Sequence, residues 1–173
     1  MSELVTLRTR PRVDLDDPIS LLEEDHGRIE AQLASLEGIV AALARELSPS
    51  ASRALSVPLH FFRMDGLRHV RDEELSVFPR LRSAGHASLV EALIDEHRQA
   101  NLIFQSMRTV STHMSLGGVT HDLVQELGVH ARAHAEVTHE HVQREKTVLL
   151  PLLRALPGAE KRAVAKEMMA RRV

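Results

Sequence analysis

The sequence predicts an all-α fold, an up-down-up-down four-helix bundle with an additional short C-terminal helix. Three observations carry this. Apolar residues recur at helical spacing through four long segments. Short breaks rich in Pro and Gly separate those segments. Sustained two-residue alternation and Gly/Asn hairpin signals are absent.

Residues 1–17 read as a solvated lead-in, with Arg8, Arg10 and Arg12 followed by Asp14, Asp16 and Asp17. Asp17-Pro18 is a helix start, with Asp as the N-cap and Pro at the first helical position. Leu22, Ile29, Leu33, Leu36, Val40, Leu43 and Leu47 then keep one face apolar until Ser48-Pro49 stops the run. A second helix is expected over about 52–83, with Pro58 near its start or kinking it, and Ser83-Ala84-Gly85 closing it. A third spans about 87–115 and ends at Gly117-Gly118; a fourth spans about 120–155 and ends at Leu156-Pro157-Gly158. A shorter helix over about 159–171 carries Val164 and Met168 on one side. The expected organisation is a tail (1–17), a bundle (18–155) and a C-terminal helix packed on it (156–173), enough chain to bury roughly 70% of its unfolded surface.

Composition narrows the chemistry. The 173 residues include 11 His but no Cys, Trp or Tyr, and the formal charge is -2. Without Cys there is no disulfide, thiolate nucleophile, zinc finger or cysteine-held iron–sulfur cluster. The charge gives no reason to expect nucleic acid or an anionic membrane as a partner. No apolar run approaches the ~18 residues of a membrane span, and no signal-peptide core is visible, so a cytoplasmic protein is expected.

The excess of His is organised by an internal repeat. His69-Val70-Arg71-Asp72-Glu73, with Pro79 and Leu81 beyond it, matches His141-Val142-Gln143-Arg144-Glu145, with Pro151 and Leu153 beyond it. Leu22 to His26 likewise lines up with Leu93 to His97. The offsets are 71 residues from His26 to His97 and 72 from His69 to His141, so one inserted residue relates two helical hairpins. Related by an approximate two-fold axis, the hairpins bring all four motifs to one level. His and Glu four apart share a helix face, so each pair projects toward the axis.

Four imidazoles and two carboxylates are costly to bury uncompensated. Two cations would offset that cost, and mixed imidazole and carboxylate ligation suits Fe, Mn or Zn. Carboxylates can bridge two metals where imidazoles cannot. Glu73 and Glu145 are therefore assigned as bridges and His26, His69, His97 and His141 as terminal ligands. An oxo or hydroxo bridge, water, further side chains or the reactive ligand would complete the coordination.

Asp25-His26, the His69-to-Glu73 motif running into Val77-Phe78-Pro79, Glu96-His97, and the His141-to-Glu145 motif running into Leu149-Leu150-Pro151 resemble the hemerythrin-like, or HHE cation-binding, domains. The resemblance covers about residues 18–155. It implies a non-haem di-iron centre, two oxo- or hydroxo-bridged irons with Mn or Zn as substitutes, that binds or reacts with oxygen, peroxide or nitric oxide. Peroxide disproportionation is one such reaction; a non-catalytic iron, oxygen or redox sensor is the alternative. Oxygen-carrying members place a second His four residues after the one on the third helix, where this chain has Asn101.

Other residues stay open. His134 lies seven residues before His141 in a layer with Leu33, Phe62 and Phe104, either as a core histidine or as a proton donor or displaced ligand over a pocket. Glu30, Gly66, Asn101 and Thr138 fall between that layer and the ligands, with Gly66 leaving space and Glu30 a candidate extra ligand or a solvated group. Asp25 and Glu96 are expected on the surface or behind the ligands. His60, His86, His113, His121, His130 and His139 have ordinary roles. A ferritin-type scheme on Glu23/His26 and Glu136/His139 is set aside because His139 is out of phase with His141.

Overall fold

The computed structural model describes residues 13–172. Arg8, Arg10 and Arg12 of the lead-in lie outside them. All regular structure among the described residues is helical, in the order α1 (Pro18–Arg45), α2 (Pro49–Ala54), α3 (Ser56–Phe61), α4 (Leu67–Asp72), α5 (Phe78–Ser83), α6 (Ala87–Gly117), α7 (His121–Arg144), α8 (Leu150–Ala155) and α9 (Gly158–Ala170). No helix among them is long and apolar enough to cross a membrane.

Local chemistry sets the ends. The Asp17 carboxylate accepts from the Ile19 and Ser20 amides at 3.2 Å, and Thr120 accepts from Leu123 at 3.3 Å, satisfying N–H groups that a helix start leaves free. Gly85 and Gly118 turn the chain at φ +94° and +88°, where a side chain would be strained.

The second bundle helix departs from the single helix expected over 52–83. A separate α2, capped by Ser48, precedes it. Pro58 sits in the first turn of α3, where its missing N–H costs nothing. Two π turns interrupt the helix beyond α3, at Phe62–Gly66 and Glu73–Val77, and a third, Glu145–Leu149, divides the fourth bundle helix between α7 and α8. The last two have one cause. Pro79 and Pro151 lack an N–H and crowd the carbonyl four residues back, so the preceding turn widens. Phe78 then donates to the Glu73 carbonyl and Leu150 to the Glu145 carbonyl, both five residues back. The prolines of the repeat thus place a π turn at each carboxylate.

The bundle buries two apolar cores. One contains Leu33, Leu36, Phe62, Phe104, Met107 and Leu127. The other contains Leu22, Val77, Phe78, Leu93, Leu149 and Leu153, together with Val164 and Met168 of α9. Between the two lie buried His26, His69, Glu73, His97, His141 and Glu145. α9 packs on α1 and on the Glu73–Val77 turn. Arg80 clamps it through Glu160 at 2.9 Å and Glu167 at 2.8 Å.

Leu36 is fully buried well away from the polar layer, so Leu36→Ala should cost about 2–5 kcal/mol. Removing the cap with Asp17→Ala should cost only about 1 kcal/mol. Urea denaturation monitored by circular dichroism measures both, and a Leu36→Ala loss no larger than that of Asp17→Ala would contradict this account of the core.

Candidate metal centre

Each hairpin supplies three of the six polar side chains: His26 on α1, His69 on α4 and Glu73 at its π turn; His97 on α6, His141 on α7 and Glu145 at its π turn. The structure brings all six together. One ligating atom from each of His26, His69, Glu73 and Glu145 lies within 4.8 Å of the others, and the same holds for Glu73, His97, His141 and Glu145. Both carboxylates therefore belong to both groups. His26 Nε2 is 2.9 Å and His69 Nε2 3.8 Å from Glu145 Oε2, while His97 Nε2 is 3.2 Å from Glu73 Oε2 and His141 Nε2 3.1 Å from Glu145 Oε1.

The imidazoles of the second hairpin test whether a cation fits. His97 Nδ1 is 2.9 Å from Glu74 Oε1, and His141 Nδ1 is 2.9 Å from Glu96 Oε2. Each Nδ1–H donates to its carboxylate, which leaves the lone pair of the neutral ring on Nε2. The two Nε2 atoms face one another at 3.0 Å. Two neutral rings would oppose lone pairs at that distance, so a proton or a metal ion must lie between them. His69 Nε2, both Glu73 oxygens and Glu145 Oε1 are buried without hydrogen-bond partners, and such groups are seldom left unsatisfied. The donor set, nitrogen and carboxylate oxygen only, fits a divalent or trivalent first-row metal.

Electrostatics gives the same account in terms of protons. Burial and the neighbouring Glu145 charge raise the Glu73 carboxyl above its ordinary range. Glu145 is held ionised well below that range, because His141, His26 and His69 outweigh its burial. His141 is raised to about 9, burial being overcome by Glu145, and His69 is raised chiefly by Glu73. His69 and His141 hold protons that a bound metal would displace.

The residues around the six were only partly anticipated. Asp25 was expected on the surface or behind the ligands. It is buried, 3.9 Å from His69 Nδ1 and 2.6 Å from Arg172 Nη2. His69 and Arg172 hold its carboxyl well below the ordinary range despite that burial. Arg171, just beyond α9, reaches Asp72 at 2.6 Å. Glu74 and the Asp72–arginine contacts were not foreseen. Asp25 and Glu96 occupy equivalent repeat positions and face the His of the following bundle helix. Glu74 breaks the symmetry, because its counterpart is Lys146, which cannot accept a hydrogen bond. Lys146 pairs with Glu30 instead, and His26 Nδ1 has no partner.

Glu30 belongs to neither group, and neither it nor Leu33 lines the cavity above the site. Phe62, Gly66, Asn101, Phe104, His134 and Thr138 do. A Cβ on Gly66 would sit 3.7 Å from Phe62, so the glycine is not demanded by packing. Asn101 is exposed and accepts from Gln105. His60 and His139 are exposed, as are Glu23 and Glu136, which leaves the ferritin-type scheme without a site.

A family model described as the Hemerythrin HHE cation binding domain matches residues 17–153. The chain belongs to this family. None of the curated proteins compared with it matches. Membership accords with the buried His/Glu cluster: this hemerythrin-family bundle fits metal binding.

His134 gives the bundle a pH dependence separate from the six. Its ring packs against Phe62 at 4.8 Å, its Nδ1 has no partner, and burial lowers its pKa from 6.5 to about 4. Between those values the unfolded chain binds the proton and the folded chain does not. This contribution to stability is complete above pH 6.5 and is lost as pH falls toward 4, about 3 kcal/mol in all. His134→Phe should remove that component. Denaturant midpoints for the two proteins at pH 4–7.5 check it; parallel profiles would contradict it.

Proposed function

We propose that this hemerythrin-family chain holds two iron ions and uses them to bind or react with a small oxidant: oxygen, peroxide or nitric oxide. Glu73 and Glu145 would be shared between the ions, His26 and His69 would complete one set of ligands, and His97 and His141 would complete the other. Mn or Zn are the substitutes this donor set accepts. The observation that carries the reading is that both carboxylates lie in both groups while the Nε2 atoms of His97 and His141 face each other at 3.0 Å.

Iron, when bound, supplies an open coordination position and the electrons exchanged with the oxidant. The chain does the rest. Glu74 and Glu96 fix the His97 and His141 tautomers and make their Nε2 atoms better donors. Ile29, Phe62, Phe104 and Val142 keep the cavity wall apolar, and Gly66 leaves its side of the wall open. His134, held neutral, is the buried imidazole on that wall outside the six. With Asn101 where oxygen carriers have a further His, reaction with peroxide, releasing oxygen and water from two peroxide molecules, is favoured over reversible carriage.

One feature favours a second reading, a metal- or redox-responsive module without turnover. Arg172 joins the end of α9 to Asp25, which faces His69, so a line of contacts runs from the site to the last helix. Oxygen evolution from peroxide by the iron-loaded protein separates the two readings.

Metal quantification on protein purified without added metal should find two irons per chain. An oxo-bridge absorption band that shifts with azide or peroxide should accompany them. A colourless, metal-free protein would overturn the proposal. Glu73→Ala or Glu145→Ala should drop the metal content, whereas His60→Ala should leave it unchanged. The two positions should also differ. His97 and His141 each have a carboxylate at 2.9 Å on Nδ1, while His26 has no partner and His69 only a distant one. Such partners are worth roughly 10–100-fold in metal affinity. Graded chelation should therefore release metal in two steps, and Glu74→Gln should narrow the gap; single-step release in both proteins would contradict this.

A further inference from the structure

The cavity over the site is far larger than an oxygen or peroxide molecule requires. It encloses about 580 Å³, within the ~300–1,000 Å³ of pockets that take organic ligands, whereas a water-sized molecule occupies ~30 Å³. It lies where α6 is flanked by α5 at one end and by α2, which precedes the second bundle helix, at the other. Its inner wall is apolar and buried at Phe62, Phe104 and Val142, and its outer wall is exposed at Leu67, Asn101 and Gln105.

Charge is distributed along its length. Glu74 and Glu96, the carboxylates on its wall, lie at the metal-centre end, engaged by His97 and His141. Toward the other end stand Arg63 and Arg108, both exposed and neither with a carboxylate partner among the described residues. Arg108 lies eleven residues after His97 on α6, ~16 Å along the axis, with its guanidinium 6.0 Å from the Phe104 ring centroid. Arg98, the third arginine on the wall, is already paired with Asp95 at 2.7 Å.

We propose that this cavity binds an amphiphilic organic monoanion, a medium-chain carboxylate. Its hydrocarbon body lies between Phe62 and Phe104, its carboxylate meets Arg63 and Arg108, and its far end points to the metal centre. Guanidinium groups suit carboxylates and are weakly hydrated. The reverse orientation would set the carboxylate beside Glu74 and Glu96. A cationic amphiphile would meet the arginines, and a neutral one would leave them without a counter-ion. The inference names a ligand class for the cavity described above and rests on the iron reading only for what lies at its floor.

The test is calorimetric titration of the full chain, as purified, with decanoate, decanol and decyltrimethylammonium, with iron measured on the same sample. Decanoate should bind one to one, and at least about tenfold more tightly than the other two, the effect of a charge-assisted hydrogen bond. Arg63→Gln combined with Arg108→Gln should lower decanoate affinity by about tenfold or more and change decanol binding less than twofold. Thermal melts establish that this variant is folded, and each single substitution should show part of the loss. Decanoate binding no tighter than decanol and indifferent to both arginines would overturn the inference, as would no binding at all. So would a concentration-dependent dimer that does not bind decanoate, since a second copy would then cover the cavity. Iron without decanoate binding defeats this inference alone; decanoate binding without iron defeats the iron reading alone.

Discussion

The architecture is organised around one electrostatic constraint: two carboxylates and four imidazoles share a buried layer of an otherwise apolar bundle. Leaving such charges unpaired costs several kcal/mol per ion, so each must be compensated within that layer or from just behind it. The side chains of the layer compensate each other in part, Glu145 by His26 and His141, Glu73 by His97. What remains is the close approach of the His97 and His141 Nε2 atoms and the Glu73 oxygens without hydrogen-bond partners, and a cation in the layer would satisfy both. The surrounding polar groups are placed by the same need: Glu74 and Glu96 on the imidazoles, Arg172 on Asp25, and Arg171 on Asp72.

The backbone serves this layer as well. A helix of uniform pitch would run straight through it. Pro79 and Pro151 instead widen the turn at each Glu, and one such turn ends with Phe78 donating to the Glu73 carbonyl. There the Phe78 ring stacks on His97, the centroids 5.8 Å apart and the planes at 13°. The prolines that matched across the repeat are thus part of how the carboxylates are presented.

The fold and the six central residues were legible because they follow from periodicity. His69 and Glu73, four apart, must share a face, and a repeat of that pair with a matching upstream His fixes the level at which the helices meet. What lay behind the six was less legible, for identifiable reasons. Glu74 belongs to a helix position whose counterpart is Lys146, so the symmetry that revealed the ligands hid their partner. Asp72 and Asp25 are satisfied by arginines at the end of α9, ~100 and ~150 residues away in sequence, and spacing carries no information about such contacts. The widened turns were missed because sequence periodicity assumes the regular pitch.

Because the polar layer lies between the two apolar cores, it is also the joint through which they communicate. Leu33, Phe104 and Leu127 on one side and Leu22, Phe78 and Leu153 on the other belong to separate packed clusters. What joins them is the helices that run through and the six side chains between. The cooperativity of the whole bundle therefore passes through that layer. A metal bound there would tie both halves into one folding unit. With mutual repulsion left uncompensated, the half that carries α9 and the half that carries the cavity become separable in stability.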